Sequence, residues 1–440
     1  MEIRLKKGLD LPLAGKPQGS VRDGPLPKRI GIDVSSLGGM SFKLHVKPGD
    51  LVNVGDPIIE DKACQGRMFI TPVAGKVIDV VRGDKRRILH VIIECPASQG
   101  QLPFSPLSTS NRSELIEHLK RCGIFASIYQ RPCSRLADPT KTPEAIFVKA
   151  IDSTPYAPSP FLEIDAMPDE FIAGIEALKL LTDGPVHIMT DRPSDLQNAH
   201  VCKGPHPIAN LSIHIEKLKP IRSVKQNIWT IHAHHVIAIG KLLKTGQLYT
   251  TRIVSVAGEG VCEEARGYYR IVDGQSIEEI LENKLSNQAC RIISGDPLMG
   301  CKASKNDFVG REHFTLCAIP EQQKRSFLHF LGLGLRRFTA TRTYLSAALP
   351  SHASSLSTAM HGEERPFVDS AYYEKVMPLR IPTMQLIKAI IAEDFEKALE
   401  LGLLEVDPED FALPAFICPS KIPMVDIVRD GQQRYIEQYL

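Results

Sequence analysis

The sequence predicts a mixed β and α/β fold: an all-β domain, an α/β domain, a second small β-rich domain and a helical C-terminal region. Three observations lead to this prediction. Short apolar runs separated by Gly, Pro and Asp fill the first hundred residues, as in sheets of short strands. Helix and strand patterns then alternate over residues 101–250, and an amphipathic helical pattern covers residues 384–401. At 440 residues the chain is long enough for several domains.

Residues 1–100 are predicted to form a small β sandwich similar to the lipoyl and biotinyl carrier domains. Two halves of this region resemble each other, since VKPGD at 46–50 is matched by VVRGD at 80–84. In each half the glycine permits a tight turn, which favours paired hairpins. The strand candidates lie at residues 43–46, 57–60, 68–70, 76–81 and 88–93.

Residues 101–250 are predicted to form a Rossmann-like α/β domain with a parallel sheet. Ser113 is expected to cap a helix that runs to Arg121, and Pro168 to begin a second helix that Gly184 ends. The strands are expected at residues 145–151, 186–189, 228–231 and 236–239.

Residues 251–325 combine strands with one short helix, which is typical of a β-grasp module similar to SLBB domains. The capping box SIEE at 276–279 opens the helix. The final region, residues 326–440, is predicted to be helical, with its clearest helix at 384–401 closed by Gly402. The serine- and alanine-rich stretch at 346–360 is predicted to be an irregular connection. The strand candidates of the β-grasp module lie at 252–256, 268–272, 291–293 and 314–319.

Charge and hydropathy argue against several classes of protein. The 53 basic and 51 acidic residues leave a net charge of +2, which does not favour a nucleic acid or an anionic membrane as partner. Charges and Pro12 interrupt the N-terminal apolar runs, so no secretory signal is expected. The longest apolar helix candidate contains Lys388 and is far shorter than the roughly 20 residues of a membrane span. A soluble cytosolic protein is expected.

Ten cysteines are spread along the chain without a C-x-x-C pair. This spacing disfavours disulfide frameworks, zinc sites and local iron–sulfur motifs. Reduced and mostly buried thiols are therefore expected.

Motifs for nucleotide binding and for catalysis are missing from the sequence. A Rossmann-like domain usually shows its nucleotide site as a glycine-rich turn, yet no G-x-G-x-x-G and no G-x-x-x-x-G-K-[ST] occurs. Bulky residues at 124–131 occupy the first expected turn, while GEG at 258–260 and GLG at 332–334 lack a third glycine and are interpreted as turns. No G-x-S-x-G or H-E-x-x-H occurs either, so no catalytic residue is predicted.

Two local sequence features suggest other kinds of site, a modified lysine and a metal-binding pair of histidines. Lys62 falls where a lipoyl or biotinyl carrier presents its modified lysine at a hairpin tip, although the segment from Lys62 to Gly75 is longer than in a lipoyl domain, which favours a carrier-like scaffold. His232 and His234 would share one face of a strand, as ligands of a metal ion do. No carboxylate or cysteine is near them in sequence, so packed or exposed histidines are the alternative for them and for His235.

Segments distributed over nearly the whole chain follow one family pattern in order. They lie at residues 6–17, 146–152, 204–207, 229–231, 236–241, 291–295, 376–379 and 418–421. Together they resemble the A subunit of the sodium-translocating NADH:quinone oxidoreductase. The chain departs from that family at His234 and His235, at Asn210 and Ser212, and at residues 422–424, so no ligand role is carried over to these loops.

The resemblance implies a peripheral subunit on the cytoplasmic face of a bacterial inner membrane, held there by membrane-embedded partner subunits. Such a complex passes electrons from NADH to quinone, through flavins and an iron–sulfur cluster in other subunits, and exports sodium ions. The resemblance implies no redox cofactor in this chain, and a fold similar to the flavoprotein subunit of respiratory complex I without its flavin, nucleotide and cluster sites. The family is also linked to quinone, for which His206 and His214 are the loop candidates.

Two other hypotheses stay open. A peripheral subunit of an Rnf-like ferredoxin:NAD oxidoreductase would carry cysteine-rich cluster motifs, which this sequence lacks. A carrier protein modified on Lys62 would show an added mass when the chain is isolated from its native host.

Overall fold

The computed structural model describes residues 1–96, 104, 106–107, 109–286, 288–322, 333–334, 338–340, 344–348, 356–359 and 364–439. The expected domain boundaries at 100/101 and 325/326 lie outside these residues, as do Gly332 and residues 349–355 of the expected connection.

The α/β domain is built on a seven-stranded sheet. Its first five strands in spatial order are parallel, the sixth pairs antiparallel with the fifth, and the seventh pairs antiparallel with the sixth. The parallel sheet that the alternating pattern predicts is therefore confirmed. In spatial order the strands are β1 (Glu2–Arg4), β14 (Ala199–Lys203), β13 (Val186–Thr190), β12 (Ala145–Ala150), β15 (Ile228–His232), β10 (Tyr129–Arg131) and β11 (Arg135–Leu136).

Helices cover both faces of this sheet, because alternate side chains of each strand point to opposite sides. Ile146 and Val148 of β12 pack in the core shared with α1 (Arg112–Arg121), α3 (Pro168–Lys179) and α5 (Ala233–Thr245). Phe147 packs on the other side in one core with α4 (Leu211–Leu218) and the C-terminal helices. The C-terminal helices are α7 (Ala371–Glu374), α8 (Thr383–Ile391), α9 (Phe395–Glu400), α10 (Ala412–Ile417) and α11 (Met424–Tyr439).

Four local predictions need correction. The strand expected at residues 236–239 is part of α5, and the single helix expected at 384–401 is interrupted at Glu393, whose φ is +57°. The cap of α1 is Asn111 instead of Ser113, since the Asn111 side chain accepts from the backbone N–H of the first turn. Ser276 precedes the short helix α6 (Ile277–Ile280), but its side chain does not cap it.

The N-terminal domain is the predicted β sandwich. Its two sheets enclose a core that includes Ile58, Ile59, Val77 and Val91. One sheet holds β3 (Arg29–Asp33), β9 (Ile88–Glu94), β8 (Gly75–Arg82) and β5 (Leu51–Val52), and the other holds β4 (Phe42–Leu44), β6 (Pro57–Asp61) and β7 (Met68–Ile70).

The β-grasp domain forms a third structure with its own core around α6. Its sheet is mixed, since β16 pairs antiparallel with β17 and parallel with β20. In spatial order the strands are β19 (Cys301–Ala303), β18 (Cys290–Ser294), β20 (Thr315–Pro320), β16 (Thr251–Ala257), β17 (Gly267–Val272) and β2 (Val21–Asp23).

The first strands of the chain do not stay in the N-terminal domain. Strand β1 extends the parallel sheet beside β14, where Ile3 is buried, and β2 pairs with β17 of the β-grasp sheet. The region expected as one domain, residues 1–100, therefore contributes to all four sheets of the described residues. The partner strands lie about 200 residues away from β1 and about 250 residues away from β2, so no local pattern predicts this pairing.

The cysteines follow the expectation only in part. All ten are free thiols, but five are buried and Cys301 is exposed, so burial is less general than expected. Among the described residues, no helix combines the length and the apolar character that a bilayer crossing requires.

Candidate functional site

The described residues enclose a cavity where the N-terminal, α/β and β-grasp domains meet. Its volume is about 150 Å³. Its wall combines apolar side chains with convergent polar groups, which is the usual form of a small-molecule site. The apolar members include Ile32, Phe69, Ile70, Pro72, Ile124, Ala238, Leu248 and Val309. The polar members include Asp33, Ser127, His234, His235, Tyr249, Thr250, Arg252, Asp273 and Arg311.

Local features of the fold bring these side chains together. Strand β3 supplies Ile32 and Asp33, and β7 supplies Phe69. A 3₁₀ turn, Ile124–Ser127, follows Gly123, whose φ of +73° is the left-handed conformation that glycine adopts at little cost. The segment that stands where a phosphate-binding loop would be expected therefore forms part of the cavity wall.

Arg311, Glu312 and His235 form a charged network on one side of the cavity. Arg311 Nη2 donates to Ser127 Oγ at 3.0 Å, and Glu312 Oε2 lies 3.0 Å from His235 Nε2. Burial would raise the pKa of Glu312, but attraction to His235 and to two arginines holds it well below its usual range. The ionised Glu312 carboxylate can then accept a hydrogen bond from the N–H of His235 Nε2.

Arg252 forms the adjoining wall. Its Nε donates to Asp273 Oδ1 at 2.5 Å, and its guanidinium lies 5.2 Å from the centre of the Phe314 ring. Among the described residues, none accepts a hydrogen bond from Arg252 Nη2. This N–H is a donor available to a bound molecule.

Glu163 lies behind the cavity and holds two of its lining residues. Its Oε2 lies 2.9 Å from His234 Nδ1, and its Oε1 accepts from Tyr249 Oη at 3.0 Å and from Ile253 N at 3.2 Å. Only 5% of Glu163 is exposed. Burial would raise the pKa of Glu163, but attraction to His234 and hydrogen bonds from His234 and Tyr249 lower it to about 2. Glu163 is therefore a carboxylate at neutral pH.

The usual nucleotide crevice of the Rossmann-like sheet lies close by and is filled. This crevice forms at the carboxyl ends of β12 and β15, where the strand order reverses. Phe314 of the β-grasp domain stacks there on His232, with ring centres 4.3 Å apart. The remaining space, which Asp152, Pro160 and Ile253 also border, is about 10 Å³. That volume holds one water molecule at most, so a dinucleotide does not fit.

His232 and His234 do not share the face of a strand. Strand β15 ends at His232, whose Nδ1 accepts from the backbone N–H of His234 at 3.2 Å and so caps α5. His234 is already helical, and the strand geometry on which the metal hypothesis depended is wrong. Nowhere in the described ranges are three histidine, cysteine or carboxylate side chains placed to hold a metal ion.

The two loop candidates for a ligand lie elsewhere. His206 is in a loop with Nδ1 3.0 Å from Ser153 Oγ, but His214 lies within α4. Neither borders the cavity. Burial lowers the pKa of His206 to about 4 and that of His214 to about 3, so both rings are neutral at neutral pH. A ligand contact of either histidine stays a prediction.

His214 gives a prediction for stability in acid. Its exposed fraction is 0%, and its folded pKa of about 3 lies below the ordinary value of 6.5. The unfolded chain therefore binds a proton more readily, and the free energy of unfolding should fall by up to about 1.4 kcal/mol per pH unit as pH drops below 6.5. Denaturant unfolding at two pH values should show a smaller loss for His214→Leu than for the wild type. Equal losses would contradict the prediction.

Lys62 lies in an exposed turn between β6 and β7, the position that a carrier lysine occupies. Its backbone N–H donates to Ser41 O at 3.0 Å. The turn then folds inward, since Gly66 N donates to Glu60 Oε1 at 2.9 Å and Arg67 is buried. Modification of Lys62 stays a prediction.

Sequence reasoning missed several residues that line the cavity or hold its lining residues in place. Glu163, Tyr249, Arg252 and Glu312 stand in separate segments that carry no known motif. The available signal was a charged residue inside an apolar element, as in FLEI at 161–164 and TRIVSVA at 251–257. A buried charge needs a partner, and here the partners come from distant segments of the chain, His234 for Glu163 and Asp273 for Arg252.

Comparison with known proteins gives a consistent match for the N-terminal, α/β and β-grasp domains. Family models described as "NqrA N-terminal barrel-sandwich hybrid domain", "NqrA second alpha/beta domain" and "NQRA C-terminal domain" match residues 3–96, 110–248 and 253–305. The chain is also similar to proteins named as the A subunit of the Na(+)-translocating NADH-quinone reductase. That of Chlamydia caviae is 36% identical over 100% of this chain and 97% of its own length. That of Rhodopirellula baltica is 34% identical over 97% of this chain and 96% of its own.

Among solved structures, an NAD+-reducing [NiFe]-hydrogenase in the H2-reduced state matches 75% of this chain and 62% of its own, with a TM-score of 0.38 and 9% identity. The end-to-end identity to the named relatives and the same three domains in the same order carry the assignment. The chain belongs to the family of the A subunit of the Na(+)-translocating NADH-quinone reductase.

Proposed function

We propose that the chain is the A subunit of a complex that transfers electrons from NADH to quinone and couples the transfer to sodium export. The observation that carries this proposal is the similarity over the full length to relatives with that name. The chain acts at the cytoplasmic face of the bacterial inner membrane, and it is held there by the other subunits, chiefly the membrane-embedded ones.

The chain contributes no redox cofactor of its own under this proposal. The filled crevice at Phe314 and His232 supports it, because a flavin or nicotinamide dinucleotide would need that space. Cys418 supports it too, since this buried thiol lies 3.1 Å from Tyr373 Oη in the C-terminal core. NADH, the flavins and the iron–sulfur cluster then belong to other subunits, and this chain supports their action.

Deleting the gene is expected to abolish sodium-stimulated NADH:quinone reductase activity in native membranes, because an incomplete complex cannot pass electrons to quinone. Restoring the gene should restore the activity, and the other subunits should co-purify with the tagged chain. Succinate:quinone reductase activity in the same membranes serves as the control and should not change. Unchanged NADH:quinone activity would rule out the proposed role.

We further propose that the cavity between the three domains is where this chain contacts quinone. A quinone site needs an apolar slot with one or two polar donors. Ile32, Phe69 and Ile124 supply apolar wall, and Arg252 Nη2 is an available donor. We favour the cavity over the surroundings of His206 and His214 as the place of this contact, because neither ring borders the cavity.

A further inference from the structure

The two ring nitrogens of His234 differ in their hydrogen bonding. Its Nδ1 lies 2.9 Å from Glu163 Oε2, and its ring packs against Tyr249 and Phe314 with centres 5.1 and 5.6 Å away. Only 2% of His234 is exposed. Its second ring nitrogen, Nε2, has no hydrogen-bond partner among the described residues, and the side chain borders the cavity.

Most other titratable side chains of the cavity are already paired within the protein. Asp273 accepts from Arg252, and His235 Nε2 is paired with Glu312. Tyr249 Oη donates to Glu163. Ionisable side chains from several elements surround His234. They are Glu163 from α2 (Phe161–Ile164), His232 from β15, His235 and Lys241 from α5, Tyr249 from the loop after α5, and Arg252 from β16.

The Glu163 carboxylate decides what His234 offers to the cavity. An ionised carboxylate only accepts hydrogen bonds, so His234 Nδ1 must carry a proton. In the neutral ring Nε2 is then an acceptor, whereas in the charged ring Nε2–H is a donor whose positive charge the adjacent Glu163 stabilises. A carbonyl oxygen on a ligand requires the donor, and a hydroxyl group can use the acceptor.

We propose that His234 takes up one proton from solvent when a quinone binds in this cavity, and that the hydroquinone binds to the neutral ring. Binding of the quinone places this proton on Nε2. The Nε2–H group then donates a hydrogen bond to the carbonyl oxygen of the quinone. No electron moves and no covalent bond of the ligand changes in this step. Glu163 and Tyr249 act as positioning residues. The inference rests on the proposed quinone site.

Calorimetric titration of the full chain with a short-tailed 2,3-dimethoxy-5-methyl-1,4-benzoquinone tests the proposal. Titrations in two buffers of different ionisation enthalpy count the protons bound. We expect quinone binding to take up close to one proton, and the quinone affinity to fall by up to about tenfold for each unit by which the pH is raised. The hydroquinone, kept under anaerobic conditions, should bind without this uptake.

Glu163→Gln gives the sharpest comparison. The Gln amide would donate to His234 Nδ1, so the proton of the neutral ring would move to Nε2. Quinone should then bind without proton uptake and with an affinity that does not depend on pH. His234→Gln should also abolish the uptake, while Tyr249→Phe should keep it. Glu60→Gln is the matched control, because Glu60 Oε2 lies 2.9 Å from His45 Nε2 at another place in the chain.

The outcomes separate this inference from the proposal on which it rests. If the wild type binds no quinone at any pH, the quinone site itself is wrong. If the wild type binds quinone without proton uptake, or His234→Gln keeps the uptake, the site stands and the role of His234 is wrong. Thermal unfolding of each variant shows whether it is folded, and His234→Gln decides the question if Glu163→Gln does not fold.

Discussion

Gly240→Ala is expected to destabilise the protein, although the same change in an exposed helix stabilises it by up to about 1 kcal/mol. A Cβ atom at Gly240 in α5 would lie 1.8 Å from the carbonyl oxygen of Glu170 and 2.9 Å from the nitrogen of Gly174, both in α3. Backbone atoms cannot turn aside as a flexible side chain can, so the two helices must move apart. We expect a loss of about 3 kcal/mol of unfolding free energy and a lower thermal midpoint.

The opposite side of the contact supplies a second test. A Cβ atom at Gly174 would lie 2.0 Å from the carbonyl oxygen of Val236, so Gly174→Ala should destabilise the protein in the same way. Gly38→Ala is the control, since nothing lies within 4 Å of its added Cβ atom, and its effect should stay within about 0.5 kcal/mol. Circular dichroism during heating and in denaturant measures all three. A midpoint for Gly240→Ala equal to that of Gly38→Ala would show that the helices tolerate separation.

The same helix shows where sequence reasoning reaches its limit. The pattern VIAIG at 236–240 predicts a strand, because a short buried apolar run looks alike in a strand and in a helix. The length of this helix distinguishes it from a strand. That length becomes apparent only when His232 is recognised as its N-terminal cap and Gly246, at φ +70°, as its C-terminal cap. Its glycine at 240 serves a close helix contact with α3, and α3 lies more than fifty residues earlier in the sequence.

Strands with local turn signals are predicted well from the sequence, while contacts between domains are not. Residues 68–70 are predicted as a strand and form β7, since flanking turns mark its ends. The break at Glu393 is missed, although Asp394 caps α9 by accepting from Lys397 N. Of the histidine and charged side chains that line the cavity, only His234 and His235 are singled out in the sequence. The role of Glu163 depends on His234, in another segment, and on Ile253 N, in another domain. Spacing along the chain does not show either contact.

Arg67→Met is expected to cost about 3–5 kcal/mol, because it leaves a buried carboxylate without its cation. Arg67 Nη1 donates to Asp61 Oδ2 at 2.8 Å, and the exposed fractions of the two side chains are 5% and 1%. Arg67 Nη2 also donates to Ala137 O in the α/β domain, and the guanidinium lies 5.5 Å from the centre of the Phe125 ring. The variant therefore breaks both the turn that holds Lys62 and its attachment to the neighbouring domain.

Pairing the change with Asp61→Asn separates the two effects of losing Arg67. The double variant removes the buried charge, and its Asn side chain can still accept from Ala63 N, which donates to Asp61 Oδ1 at 2.8 Å. We expect it to recover part of the lost stability, because an uncompensated charge costs more than an absent ion pair. Lys179→Met is the control: its pair with Glu176 is 42% and 61% exposed, so its effect on the thermal midpoint should be close to zero. If Arg67→Met lowers the thermal midpoint no more than Lys179→Met does, the Asp61 carboxylate must reach water, and the turn that presents Lys62 is free to open.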